Sequence, residues 1–304
     1  MLKSKKTVIL VALIIMGLTI SSLTSGALAR PKVRVSIYPL YDTALKIADD
    51  KLDISQVIPN GVEVHSYKPS PRKIALLEES DLFIYNGLNL EPWADKLARN
   101  LKGVGVRSIK MSKNINLLQI DDHHHNKDHT KYDPHIWLNP QNMKLIAKRM
   151  MEEFIKLDPT NEKFYRDNYK DYISKIDKLD NDFQKLLDQR KSEYILVSHA
   201  AFGYLTHHYG LHQLAVTGIA PHQEPSPRTL AKLVKKAREH EIDYIYMETL
   251  ANPRTAEILA QEADLKIAIL NPIAGLTEED IANNEDYFSL MRKNLESLRK
   301  ELVN

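Results

Sequence analysis

The chain has 304 residues, with 42 basic and 40 acidic side chains and no cysteine. A net charge of only +2 gives no reason to expect a nucleic-acid partner. The lack of cysteine excludes disulfides and thiolate metal ligands.

Residues 1–29 have the features of a secretory signal peptide. Lys3, Lys5 and Lys6 precede an apolar run at 8–16, and Ala27-Leu28-Ala29 fits a cleavage site. The apolar run is too short for an ordinary membrane span. Cleavage after Ala29 leaves 39 basic and 40 acidic residues. We expect a periplasmic protein without a lipoprotein-type anchor, because that anchor needs a cysteine after the signal.

The first predicted lobe, residues 30–157, alternates strands with helices. Ser70-Pro71 fits a helix start, with a capping hydroxyl followed by a proline in the first turn. Strands are predicted over 33–37, 54–58, 82–85 and 104–109, and helices over 40–52, 70–79, 92–100 and 139–157. Residues 121–132 are polar and rich in histidine, which predicts a loop.

Residues 158–190 predict one long helix that links two lobes. Asp158-Pro159 is a helix-start pattern, and no other proline or glycine follows before residue 190. Apolar residues recur at steps of three and four; they are Tyr165, Tyr169, Tyr172, Ile176, Leu179, Phe183 and Leu186. A dimeric coiled coil is the alternative, but its seam would be richer in leucine and isoleucine.

The second predicted lobe, residues 191–304, repeats the alternation of the first. Strands are predicted over 194–197, 213–216, 244–247 and 267–270, and helices over 201–209, 226–239, 253–263 and 281–302. The predicted fold class is α/β: two βα lobes with mostly parallel sheets, joined by one long rigid helix. Ligands of such sheets bind at the carboxyl ends of the strands.

Three histidines lie in loops of this kind. His65 and His135 have prolines on either side, and His199 directly follows a predicted strand. Prolines restrict the backbone, so they hold an imidazole in a fixed direction. Neutral imidazole is a good ligand for zinc and related metals. From spacing alone, a shared metal site and three unrelated surface histidines both stay open.

Several segments together resemble the zinc- and manganese-binding proteins of ABC importers, the ZnuA/TroA-like family. The segments begin at residues 64, 85, 133, 198, 224 and 271, and read VHSYKPSP, YNGLNLEPW, DPHIW, SHAAFGY, EPSP and NPIAGL. The resemblance covers nearly the whole chain after the signal peptide. It implies two lobes joined by a long helix, and metal ligands at His65, His135 and His199.

One position departs from the family pattern. Many relatives have an acidic fourth ligand where this chain has Ala274. The site would then contain three imidazoles and a water, or a carboxylate from elsewhere. Glu248, just after a predicted strand, is the first candidate, and an ordinary polar residue at a strand end is the alternative. We expect Asp133 either to orient an imidazole or to cap a turn.

The ligand types favour zinc over manganese. Manganese prefers oxygen ligands, whereas imidazole suits zinc. Manganese-binding relatives commonly have an acid at the position of His199. We therefore expect Zn²⁺ in tetrahedral geometry, with one position open or filled by water.

Four further histidines, at 123, 124, 125 and 129, form a separate cluster with Asp121, Asp122 and Asp128. A flexible, low-affinity metal collector is one interpretation, and a solvated loop without function is the other. His222, which precedes Glu224, is a further candidate ligand of lower priority. His207, His208, His212 and His240 are interpreted as structural or solvent-exposed.

The resemblance implies high-affinity capture of zinc outside the inner membrane and delivery to an ABC permease. We expect a monomer that is not an enzyme. A manganese-binding protein of the same type is the nearest alternative. A zinc-dependent hydrolase is another, but no His-Glu-x-x-His element occurs. A surface adhesin is the third alternative.

Overall fold

A computed structural model describes residues 29–120, 131–219, 225–250 and 253–303. The predicted signal peptide and the histidine cluster at 123–129 lie outside these residues. The described chain from Pro31 onward forms a single unit.

The first sheet contains four parallel strands in the order β2-β1-β3-β4. The strands are β1 (Lys32–Val35), β2 (Asp53–Gln56), β3 (Leu82–Tyr85) and β4 (Arg107–Lys110). β3 is buried along its whole length, as expected for a central strand covered by helices on both faces. The carboxyl ends of all four strands therefore lie along one edge of the sheet.

The second sheet repeats this arrangement, with four parallel strands in the order β6-β5-β7-β8. The strands are β5 (Tyr194–His199), β6 (His212–Thr217), β7 (Tyr244–Met247) and β8 (Lys266–Ile269). The predicted α/β class with two parallel sheets is confirmed, and the strand order is the same in both halves.

Helices cover both sheets. In chain order they are α1 (Tyr38–Ala48), α2 (Pro71–Glu78), α3 (Ala94–Gly103), α4 (Pro140–Leu157), α5 (Glu162–Leu187), α6 (Gly203–Tyr209), α7 (Pro227–Glu239), α8 (Arg254–Ala263), α9 (Glu278–Ala282) and α10 (Tyr287–Leu302). Ser70 and Ser226 cap α2 and α7 by accepting hydrogen bonds from main-chain N–H groups, and a proline follows each.

The predicted long helix is α5, which has 26 residues and follows a short 3₁₀ turn at Pro159–Asn161. Asp158 lies before this turn and accepts hydrogen bonds from the Thr160, Asn161 and Tyr165 side chains. The apolar stripe of α5 is buried against α1, α4 and α10. The chain's own core covers this stripe, so a coiled-coil partner is not needed to bury it.

The C-terminal helix was predicted as one element over 281–302, and this was wrong. Thr277 and Asp280 form a capping box that starts α9, and Asp286 and Ser289 form a second one that starts α10. Between them, Asn284 has a φ of +52°, a left-handed conformation that ends a helix. Two successive caps therefore divide the apolar pattern into two helices.

The predicted lobe boundaries at 157/158 and 190/191 stay predictions. Several hydrogen bonds join residues on opposite sides of them. Trp137 Nε1 donates to Pro272 O at 2.7 Å, and Tyr287 Oη donates to Trp137 O at 2.7 Å. Gly61 N donates to Leu276 O at 2.8 Å. One buried apolar cluster also includes strands of both sheets together with α5 and α10. Among the described helices, none is long and apolar enough to cross a membrane.

Candidate metal centre

His65 lies in the loop between β2 and α2, where Glu63 holds the backbone. Glu63 Oε1 accepts from His65 N and Oε2 accepts from Ser66 N, both at 2.9 Å. Burial opposes ionisation of Glu63, but these hydrogen bonds and the charge of His65 outweigh it and lower the pKa of this carboxyl. His65 is partly exposed, so it lies on the more open side of the site.

His135 lies just before a 3₁₀ turn at Ile136–Leu138, and it is 1% exposed. Asp133 Oδ1 accepts from His135 N at 2.9 Å and lies 2.8 Å from His135 Nδ1. If the ring proton is on Nδ1, it is donated to Asp133 and the lone pair of Nε2 is left available. The carbonyls on either side are also held: Pro134 O by Asn86 Nδ2 and Ile136 O by Asn142 Nδ2, each at 2.9 Å.

His199 is the last residue of β5 and is 2% exposed. Its Nδ1 lies 2.7 Å from Glu248 Oε1, just past the end of the neighbouring strand β7. This contact is a close approach between the two groups rather than a hydrogen bond. Both ring nitrogens of His199 are therefore buried without a hydrogen-bond partner among the described residues. Because buried polar atoms normally have partners, the Nε2 atom, which lacks even a carboxylate neighbour of this kind, fits a site that receives an ion.

The three histidines converge although 134 positions separate the first from the last. One ring nitrogen from each lies within 4.8 Å of the other two, and no other group of three or more potential ligands was found in the described residues. A tetrahedral zinc ion with bonds of about 2.05 Å needs nitrogens about 3.3 Å apart. Small movements of the loops would therefore bring these atoms to ligand distance.

Burial controls the charge of the deepest groups in the site. It lowers the pKa of His135 well below its usual value, and the charge of His199 acts in the same direction. It also raises the pKa of Asp133 to about 7, although the hydrogen bond from His135 N opposes this change. A histidine that stays neutral keeps a lone pair available for a metal.

Gly203 allows Asp133 to approach the second half of the chain. A Cβ on this glycine would overlap Asp133 Oδ2. Gly203 is the first residue of α6, directly after the His199 segment. The glycine in the SHAAFGY segment therefore makes room for the carboxylate that contacts His135.

The histidines line a cavity of about 20 Å³, which is room for one ion or one water. The acidic residues in its wall are Glu63 and Glu248, and Ala274 also lines the cavity. Ala274 contributes only a methyl group. The sequence provided no reason to choose Glu63, because a glutamate two residues before a histidine is common in loops.

The other histidines of the described chain lie elsewhere. His208 Nε2 is 2.9 Å from Asp180 on α5. His212 and His240 both contact the ring of Tyr194, and His207 is exposed on α6. His222, Glu224 and the histidines at 123–129 lie outside the described residues.

Comparison with known proteins places the chain in a family. The family model described as "ZnuA: Zinc-uptake complex component A periplasmic" matches residues 33–301. The high-affinity zinc uptake system protein ZnuA of Bacillus subtilis is 33% identical over 278 residues, covering 89% of this chain and 87% of the relative.

The zinc-binding lipoprotein AdcA of Streptococcus pneumoniae is 33% identical over 303 residues. The match covers 97% of this chain but only 60% of AdcA, so the chain spans a little over half of that relative. The name of AdcA specifies a lipoprotein, whereas the present sequence has no cysteine.

The crystal structure of the Zn(II)-bound ZnuA-like domain of the same AdcA superimposes with a TM-score of 0.79 at 32% identity. It covers 91% of this chain and the whole of that domain. The two parallel sheets, the linking helix and these matches agree: the chain belongs to the ZnuA family of zinc-uptake components.

Proposed function

We propose that this chain captures Zn²⁺ outside the inner membrane and delivers it to an ABC permease. His65, His135 and His199 are the proposed ligands. The observation that supports this most directly is the convergence of their ring nitrogens within 4.8 Å around a cavity with room for one ion. The zinc named in the descriptions of the relatives supports the same ion.

Two carboxylates would orient the ligands. Asp133 contacts Nδ1 of His135 and Glu248 contacts Nδ1 of His199, so each imidazole would present Nε2 to the ion. Such partners fix the ring and make the imidazole a better electron donor. The contact with His199 favours this role for Glu248 over that of a fourth ligand. The fourth position would then be taken by water.

Three nitrogen ligands and one water would favour zinc over manganese, because manganese prefers oxygen. The buried environment adds to the selection, since the small cavity in an apolar wall excludes a fully hydrated ion. We propose that the protein acts as a monomer, after export and cleavage following Ala29. In this proposal the zinc is cargo, and the protein has no catalytic role.

Single replacements of the three histidines by alanine test the proposal, with zinc affinity measured by competition against a chromogenic chelator. Each should weaken zinc binding by more than the roughly 10- to 100-fold effect of losing an outer-shell partner. His207→Ala is the matched control, because His207 is exposed on α6. If any one of the three alanine variants binds zinc as tightly as the control, the shared site is wrong.

Two further measurements complete the test. Binding of Mn²⁺ as tight as that of Zn²⁺ would contradict the proposed selectivity. Hydrolysis of ester or phosphate substrates by the zinc-loaded protein, above the rate of the His135→Ala variant, would contradict the non-catalytic assignment.

A further inference from the structure

Glu91 is a fully buried carboxylate outside the cavity, with 2% of its surface exposed. It belongs to the YNGLNLEPW segment, which the metal site itself does not use. Its contacts in the structure are with hydrogen-bond donors, and no cation contacts it among the described residues. A buried ionisable group is costly unless hydrogen-bond donors compensate it, and such donors surround Glu91.

Three donors converge on Glu91 from two neighbouring strands. Oε1 accepts from Asn86 N at 2.9 Å and from the Ser36 hydroxyl, and Oε2 accepts from Gly87 N at 3.0 Å. Ser36 directly follows β1, and Asn86 and Gly87 directly follow β3. The carboxylate therefore joins the carboxyl ends of two adjacent strands.

The loop held in this way has a strained backbone. Gly87, Leu88 and Asn89 have φ values of +86°, +58° and +62° in succession. Leucine rarely adopts this left-handed conformation, so other contacts must maintain the loop. Position 87 favours glycine for two reasons. Its φ is positive, and a Cβ there would overlap the Lys110 side chain.

The loop presents the side chain of Asn86 to the segment that contains His135. Asn86 is 0% exposed, and its Nδ2 donates to Gly87 O at 3.1 Å and to Pro134 O at 2.9 Å. A flipped amide would place its oxygen against two carbonyl oxygens, so this orientation is fixed. Pro134 precedes His135, and its carbonyl belongs to the peptide group that contains His135 N.

From these contacts we infer that Glu91 is a positioning residue for zinc binding, acting through Asn86 and Pro134 on His135. The inference rests on the proposed function, because it requires His135 to be a ligand. Glu91 fixes the Asn86-Gly87 backbone, Asn86 fixes the Pro134 carbonyl, and the imidazole of His135 is then held in place before the ion arrives. A site that is arranged in advance loses less entropy on binding.

Glutamine cannot replace Glu91 without loss. Its single carbonyl oxygen can accept from Ser36 and Asn86, but its NH₂ group would then face the N–H of Gly87. Glu91→Gln should therefore shift the loop while keeping the volume of the side chain. We expect its zinc dissociation constant to rise about tenfold, at the low end of outer-shell effects.

Glu153→Gln is the matched control. Glu153 is also a buried carboxylate of the same half of the chain, but it pairs with Arg107 and Lys156 at the far end of α4. Both variants should lower the thermal stability of the metal-free protein. Only Glu91→Gln should change zinc affinity, and only it should alter the visible absorption bands of bound Co²⁺, which report the ligand geometry.

Asn86→Ala tests the same pathway at its second residue, because it removes the contact with Pro134 O but leaves the backbone donors of Glu91 intact. It should weaken zinc binding to a similar extent, and the double variant Glu91→Gln, Asn86→Ala should be no weaker than the worse single variant. If Glu91→Gln does not fold, Asn86→Ala and the milder Ser36→Ala carry the test by the same measurements.

The outcomes separate the two proposals. If His135→Ala keeps full zinc affinity, the proposed function fails and the positioning role fails with it. If His135→Ala loses zinc but Glu91→Gln and Asn86→Ala bind it as Glu153→Gln does, only the positioning role is wrong. Additive losses in the double variant would also overturn it.

Discussion

Ala274 is the position at which the sequence departs from the pattern that the family resemblance implies. Its methyl group lines the cavity beside the three histidines, where the resemblance implies an acid in many relatives. A carboxylate there would add an oxygen ligand with a negative charge. With alanine there, all the proposed protein ligands are nitrogen atoms.

Ala274→Glu should tighten the binding of both ions, and more for manganese than for zinc. A fourth, charged oxygen ligand suits the harder ion, and we expect its affinity to rise about tenfold or more. Ala274→Gln has the same size without the charge and is the control. An equal gain in the glutamine variant would show that the negative charge is not the cause, and no gain for manganese would show that position 274 does not reach the ion.

The roles of individual residues could be predicted only in part. His65, His135 and His199 stand out as candidates because flanking prolines and strand ends are visible in the sequence, but only the family resemblance implies that they share one ion. The Asp133–His135 contact is also local, spanning two positions. The Glu248–His199 contact spans 49 positions and depends on β5 lying beside β7, so no sequence pattern distinguished it from an ordinary polar residue at a strand end.

Among the elements, α5 was the most predictable and the C-terminal region the least. A stripe with a helical period that lacks internal glycine or proline leaves few alternatives to one long helix. Residues 277–302 have the same kind of apolar pattern, but their two capping boxes are short side-chain motifs that a periodic pattern does not reveal. Local capping therefore overrode the periodicity there.

The end of α10 is attached to the second sheet through Glu301. Its Oε1 accepts from Asp243 N at 3.1 Å, and its Oε2 is buried without a partner among the described residues. Burial, together with the charge of Asp243, raises the pKa of Glu301 from 4.5 to about 7. In the folded protein the neutral form therefore persists to a higher pH than in the unfolded chain.

Glu301→Gln should stabilise the protein at high pH but not at low pH. Below about pH 4.5 the carboxyl is protonated whether the chain is folded or not, so its contribution to stability is intact. That contribution is lost as pH rises through about 7, because ionising the folded carboxyl is unfavourable.

Glutamine stays neutral throughout, so the variant should gain roughly 1 kcal/mol over the wild type at pH 8, after allowance for solvent screening of a partly exposed group. Urea unfolding at pH 4.5, 6 and 8 measures this difference. Glu296→Gln, an exposed change on the same helix, is the control. A stability difference that does not grow with pH would contradict the prediction.

In the whole molecule, the two sheets share one apolar cluster and are joined by more than the linking helix. Trp137, Pro272 and Tyr287 form a buried hydrogen-bonded chain between the halves, and Gly61 bonds to Leu276 beside the cavity. Wide hinge opening would break all of these contacts. Zinc loading should therefore involve local loop movement.

X-ray scattering tests this expectation. The radius of gyration, about 19 Å for a compact chain of this size, should change by less than about 0.5 Å on zinc loading. Trp137→Phe removes the Nε1 donor to Pro272 and should allow a larger change. A wild-type change of 2 Å or more, of the order of a hinge closure, would show that the halves move as separate bodies.

The repeated strand order has a consequence for how the site arose. Val35 pairs with Ile84 in the first sheet as Val197 pairs with Tyr246 in the second, so corresponding positions can be read across the halves. Asn86 then corresponds to Glu248, and Ile37 to His199. Duplication of one ancestral half would leave such a correspondence. On that view the residue after the third strand took a different role in each half: Asn86 holds the main-chain carbonyl of Pro134, and Glu248 contacts the imidazole of His199.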